Sequence, residues 1–138
     1  MRLNYLAVIV AGLAHWLVGA LWYGALFSNK WIELMGWDQQ KVAQIQQQGA
    51  AKPMLTSLFG ALLTTLAQAV IFGRAEVKTL YDGLKIAGFI WLGFVAVIGM
   101  DTVLYEERKF MLYGINSSYH LVGLLIAAAI LAAWRKKD

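Results

Sequence analysis

The sequence predicts an all-α protein: a four-transmembrane-helix bundle with short interfacial helices in the first connection. Three observations carry that expectation. Of 138 residues, 60% are hydrophobic and only 14% charged, whereas a soluble domain carries about 25% charge. The mean hydropathy is +0.59. The apolar residues also fall into four continuous runs, each close to the ~20 residues a helix needs to cross a bilayer. None shows the period-two alternation of a closed barrel. In lipid each backbone polar group must be satisfied within the structure, so each run is expected to be a helix. The length suits one membrane domain, 1–138, with helices over approximately 3–28, 54–73, 84–105 and 110–134.

The first run, Leu3 to Ser28, contains no formally charged residue when His15 is neutral. It exceeds the apolar core of a secretory signal and lacks a clear small-x-small cleavage site, so it is expected to remain as the first span. The connection "NKWIELMGWDQQKVAQIQQQGAAKP" places Trp31, Leu34 and Met35 at helical spacing. Asp38 is a candidate N-cap for "QQKVAQIQQQ", which Gly49 would end. A linker lying on the membrane surface is the favoured expectation. In the alternative, Val42 and Ile45 cover a polar cavity.

The second run, Met54 to Gly73, follows Pro53, whose missing N–H is harmless in a first helical turn. Arg74 ends it. The third, Ile86 to Tyr105, is interrupted only by Asp101 and Thr102, and the fourth, Phe110 to Trp134, stops at "RKKD". Four spans put both termini on one side. That side holds Arg2, Arg74, Lys78, Lys85, Arg135, Lys136 and Lys137, against Lys30, Lys41, Lys52, Arg108 and Lys109 on the other. The positive-inside rule assigns the termini to the cytoplasm. The basic residues lie between and beyond the spans, so they read as topology signals, and no nucleic-acid partner is expected. Without cysteine, thiolate metal sites, disulfides and cysteine nucleophiles are excluded.

Polar side chains within spans are the functional candidates of a membrane protein. Here they are His15, Gln68, Asp101, Asn116 and His120. Counting along the helices puts Trp22, Tyr23, Asp101 and His120 near one level toward the outer face, where they form a candidate polar pocket. His15 falls near mid-membrane and Gln68 toward the cytoplasmic side. Asp101 is about one turn inside the end of its run, within reach of water or of Arg108 or Lys109. Its plain structural role is an interface acid held by an ion pair, and its functional one a pocket shared with His120 or Tyr23. His15 shares a helix face with Gly12, Gly19, Trp22 and Tyr23, and glycines there permit close helix packing. Gly93, Gly99 and Gly123 carry the same message in later spans. No cofactor is expected: a bis-histidine haem would need His15 and His120 at one depth, and no zinc-like spacing occurs within a helix. "LVGALWY" (17 to 23) and "LVGLLIA" (121 to 127) look alike, a weak sign of duplication.

"GALWYG" (Gly19 to Gly24), with Lys30, Trp31, Met35 and Gly36 after it, and "WLGF" (Trp91 to Phe94) with "YHLVG" (Tyr119 to Gly123) resemble a small bacterial integral-membrane family of unknown function, DUF1761. The resemblance covers nearly the whole chain. It implies four membrane helices and a bacterial cytoplasmic membrane, and brings no activity with it.

Two functions compete. One is an oligomeric transporter or channel with an outer-facing polar pocket for a small molecule or ion. The other is an accessory or structural protein that assembles, as a homo-oligomer or with a larger complex, through glycine and alanine helix faces. An enzyme acting on a lipid or quinone is the weakest reading, because only Asp101 and His120 offer even a pair. Membrane lipids are partners in every case.

Overall fold

A computed structural model describes residues 3–135; Arg2, Lys136 and Lys137, which contribute to the charge bias, lie outside the described residues. Among the described residues six helices follow one another: α1 (Tyr5–Leu26), α2 (Ser28–Met35), α3 (Gln39–Gln48), α4 (Ala51–Arg74), α5 (Leu80–Leu104) and α6 (Phe110–Ala133). The described residues contain no strand. α1, α4, α5 and α6 are long and apolar enough to cross a membrane, and α2 and α3 are short connecting helices. The chain is a multi-span membrane protein.

Local chemistry sets the ends of these helices. Asn4 caps α1, its Oδ1 accepting from the Ala7 N–H at 3.3 Å, and Asp38 caps α3 by accepting from the Lys41 N–H at 2.7 Å. Gly36 and Gly49 follow α2 and α3 at φ +71° and +76°, a region that favours a residue without Cβ. α5 begins at Leu80, ahead of its apolar run, because Thr79 and Asp82 form a reciprocal capping box. α1 and α5 each contain a widened π-helical turn, at Trp22–Leu26 and Leu92–Ala96. α5 then breaks briefly at Met100 before a last turn, Asp101–Leu104.

The spans form a row more than a closed square. α1 packs extensively against α4 and α6, α6 packs against α5, and α4 and α5 barely touch. Lipid tails are as apolar as leucine, so burial alone does not drive these contacts; close packing and hydrogen bonds must. The chain accordingly places Ala7, Ala11, Ala87, Ala127 and Ala128, all 0–1% exposed, where helices meet.

Both described chain ends lie at one end of the bundle, the terminal end. The Asn4 side-chain amide donates to the Trp134 carbonyl at 2.7 Å, and the Arg135 guanidinium to the Val77 carbonyl at 2.9 Å. A Cβ on Gly83 would stand 3.1 Å from both Phe72 and Ala132, so α4, α5 and α6 converge there. At the connection end they separate. The first ten residues of α4, 51–60, are exposed except for the half-buried Leu58. Leu55, Phe59, Phe94 and Val97 are among the apolar side chains presented to lipid.

Candidate functional site

The antiparallel pair α1 and α6 meets through a reciprocal exchange. His15 precedes Gly19 by one helical turn, and Tyr119 precedes Gly123 by the same interval. The His15 ring occupies the space where a Gly123 Cβ would stand, and Tyr119 lies 3.1 Å from where a Gly19 Cβ would stand. Each ring fills the notch of the other helix. The two rings meet edge to face, with centroids 5.8 Å apart. This exchange buries His15 at 3% exposure and leaves its Nδ1 without a hydrogen-bond partner. One turn further along α1, Gly12 lets Leu62 and Thr65 of α4 approach closely. Gln68 of α4, 2% exposed, donates through Nε2 to the Leu124 carbonyl at 3.0 Å, while its Oε1 is unpartnered. His15 and Gln68 therefore meet adjacent residues of α6 in the middle of the bundle.

Above the exchange, toward the connection end, lies a cleft of about 520 Å³. Tyr23 of α1 and Asn116 and His120 of α6 form its floor, and Trp31, Trp37, Val42, Ile45 and Gln46 of the connection form its roof and sides. The Tyr23 hydroxyl donates to Asn116 Oδ1 at 2.8 Å. Successive rings stand nearly perpendicular: Tyr23 to Trp31 at 75° with centroids 5.8 Å apart, and Trp31 to Trp37 at 84° and 4.9 Å. Tyr119 touches this set from below, 5.4 Å from Tyr23 and 4.6 Å from His120 between centroids. A second opening of about 340 Å³ runs between α1, α4 and α6, lined by Gly19, Ala20, Pro53, Met54, Ser57 and Tyr119, with Trp16 beside it. Tyr23 borders both spaces. Trp16 closes one side by donating its indole N–H to Ser57 Oγ at 3.0 Å.

The residues singled out from sequence fall into separate places. Tyr23 and His120 line the cleft, and Asn116 sits between them. Trp22 faces α6 instead and donates its indole N–H to the Ile115 carbonyl at 3.1 Å. Asp101 is exposed in the last turn of α5 and does not line the cleft. Its candidate ionic partner Arg108 has its Nε 3.8 Å from Glu106. Gly12, Gly19 and Gly123 take part in the α1 contacts just described, and Gly99 faces Tyr113 at 3.3 Å. Gly93 faces open space. In the first connection, Val42 and Ile45 face the cleft, as the alternative reading of that segment had it. Among the described residues no group of three His, Asp or Glu side chains is placed to hold a metal ion.

Two features escaped the sequence reading. Tyr119 is the hub of the ring cluster, and the spacing it shares with His15, an aromatic ring four residues before a glycine, was the available signal. The second is a repeated G-x-x-W-x-G: Gly19-Ala-Leu-Trp22-Tyr-Gly24 in α1 and Gly88-Phe-Ile-Trp91-Leu-Gly93 in α5. Each copy sits at a π turn. Each tryptophan donates to an α6 carbonyl, Trp22 to Ile115 and Trp91 to Ser117, the latter at 2.8 Å. The Ala96 carbonyl at the end of the second π turn accepts from the Tyr113 hydroxyl at 2.8 Å in addition to its ladder bond from the Met100 N–H at 3.2 Å, which ties that turn to α6.

No curated protein and no solved structure matches the chain. Residues 6–132 match the family model described as "Protein of unknown function (DUF1761)". That match takes in all four spans, both G-x-x-W-x-G turns and the α1–α6 ring exchange, and the chain belongs to the DUF1761 family of membrane proteins.

Proposed function

We propose that this protein is a small-molecule transporter of a bacterial cytoplasmic membrane, with both termini in the cytoplasm and the cleft open to the outside. The observation that carries this is the cleft itself: about 520 Å³, within the usual range of ligand sites, lined by aromatic rings and a few convergent polar groups. The chain below it is closed by the His15–Gly123 and Tyr119–Gly19 contacts and by alanines with almost no exposure. A site open on one side and sealed on the other supports alternating access more than a channel. Polar groups at the seal, His15, Thr65 and Gln68, would line the passage once it opened.

The absence of cysteine makes the test direct. Asn116→Cys lies in the cleft and Ala69→Cys in the sealed half. A membrane-impermeant maleimide is expected to label Asn116→Cys rapidly from the outer side and Ala69→Cys at least tenfold more slowly, only from the cytoplasmic side. Failure to label Asn116→Cys from outside overturns the reading of the cleft. An Ala69→Cys that never reacts overturns alternating access.

A second reading, association of copies through α5, is favoured by one observation. Gly88 and Gly93 of α5 have open space where a Cβ would stand, beside the exposed Phe89 and Phe94. If that face packs on a second copy, Gly93→Leu is expected to reduce the oligomer mass measured by light scattering in detergent. An unchanged mass removes this reading.

A further inference from the structure

We propose that the cleft recognises a choline-type amphiphile: a quaternary ammonium with a neighbouring oxygen, held by Tyr23, Trp31 and Trp37, and an apolar tail laid in the groove between α1, α4 and α6. This rests on reading the cleft as a ligand site and names the class of ligand.

The first argument is the arrangement of the rings. Trp31 stands at 75° to Tyr23 and at 84° to Trp37, so three consecutive rings make two corners within one cleft. The face of an aromatic ring is its negative pole, and a cation within ~6 Å of the centroid is drawn to it. A quaternary ammonium suits such corners because it has no N–H to satisfy and is weakly hydrated.

Charge gives the second argument. The lining contains no lysine, arginine, aspartate or glutamate. An anion would find no cation to pair with, and a strongly hydrated small cation no carboxylate to replace its water. A large, soft cation needs neither. The third argument is an unpartnered donor: the Trp31 indole N–H is buried and lacks an acceptor. Trp31 lines the cleft, and a small turn of its ring would bring that N–H to a hydroxyl or ester oxygen next to the ammonium.

The tail follows from the second opening. Tyr23 borders both the cleft and the groove of about 340 Å³. Gly19 and Ala20 leave the floor of that groove free of bulky side chains, and Pro53, Met54 and Tyr119 give it apolar walls. The groove lies where α4 departs from the bundle and exposes all but Leu58 of its first ten residues. An amphiphile whose head enters the cleft at Tyr23 can lay its tail there without crossing the seal.

The test uses the full chain in lipid nanodiscs, titrated with choline, lauroylcholine and 3,3-dimethylbutyl laurate, the last having the shape of lauroylcholine without its charge. Binding is followed by tryptophan fluorescence. Lauroylcholine is expected to bind at least roughly tenfold more tightly than the neutral ester, and also more tightly than choline. Trp37→Leu should remove most of the preference for the charged ligand. Val42→Lys, which puts a positive charge at the cleft edge on a surface helix, should weaken lauroylcholine and spare the neutral ester. Ala20→Phe should reduce lauroylcholine to the affinity of choline. Equal binding of the charged and neutral esters, or no effect of Trp37→Leu and Val42→Lys, overturns cation recognition. An Ala20→Phe variant that retains full affinity for lauroylcholine overturns the tail site. If no probe binds while Asn116→Cys is labelled from outside, the ligand class is wrong and the cleft stands.

Discussion

The two ends of the bundle solve different problems with the same four helices. At the terminal end α1, α4, α5 and α6 converge on alanines and Gly83, and the opening between α1, α4 and α6 there is about 40 Å³. At the connection end α4 leaves the bundle, α2 and α3 fold over the gap, and the space is more than ten times larger. The difference lies in side-chain size. Small residues let helices touch, and touching helices gain dispersion contacts that lipid cannot supply better. Rings at Tyr23, Trp31, Trp37 and Tyr119 hold the connection end apart while still giving it a framework of edge-to-face contacts. Tightness belongs to one end and room to the other.

Substitutions at the seal should separate the two ends most clearly. Gly123→Val forces a side chain into the His15 ring and is expected to cost about 2 kcal/mol, read as a fall in Tm in detergent. Adding His15→Ala should recover at least half of that loss. A Gly123→Val protein with an unchanged Tm would mean that α1 and α6 do not lock there. Gln68→Leu removes the cross-helix bond to Leu124 together with a buried unpartnered oxygen. Its cost should be smaller, about 1 kcal/mol by denaturant or thermal unfolding.

At the connection end the same methods should register little. Tyr23→Phe loses the hydroxyl bond to Asn116 and keeps the ring, so about 0.6 kcal/mol is expected. Lys30→Ala breaks the Lys30–Glu33 ion pair, 2.9 Å long and solvent-exposed, and should change stability by less than about 0.5 kcal/mol. If Tyr23→Phe destabilised the protein more than Gly123→Val, the contrast between a tight end and a roomy end would be reversed.

The spans were legible because uninterrupted apolarity is a property of each run by itself. The caps Asp38 and Gly49 were legible for the same reason, since each acts within a few residues of its own position. What stayed hidden is relational. His15 and Gly123 each stood out in their own helix, but nothing in either helix says that one ring enters the other's notch. The π turns were hidden too, because one extra residue in a helical turn changes neither the apolarity nor the charge of the run. Counting residues put Asp101 level with His120, yet level is one coordinate and azimuth another. Asp101 belongs to α5, whose main partner is α6, and Tyr23 and the cleft are on the α1 side.

The paired tryptophans at the two π turns couple parts of the chain that otherwise have little to do with one another. Trp22 and Trp91 grip α6 at carbonyls only two residues apart, from the first span and the third. Their G-x-x-W-x-G segments stand at the widened turns of those spans. The connection-end part of α1 is therefore tied to the same stretch of α6 that α5 also holds, much as two spokes share one hub. The roof over the cleft follows directly from the end of α1, so the roof and the far flank of the protein are anchored to the same short stretch of α6, Ile115 to Ser117.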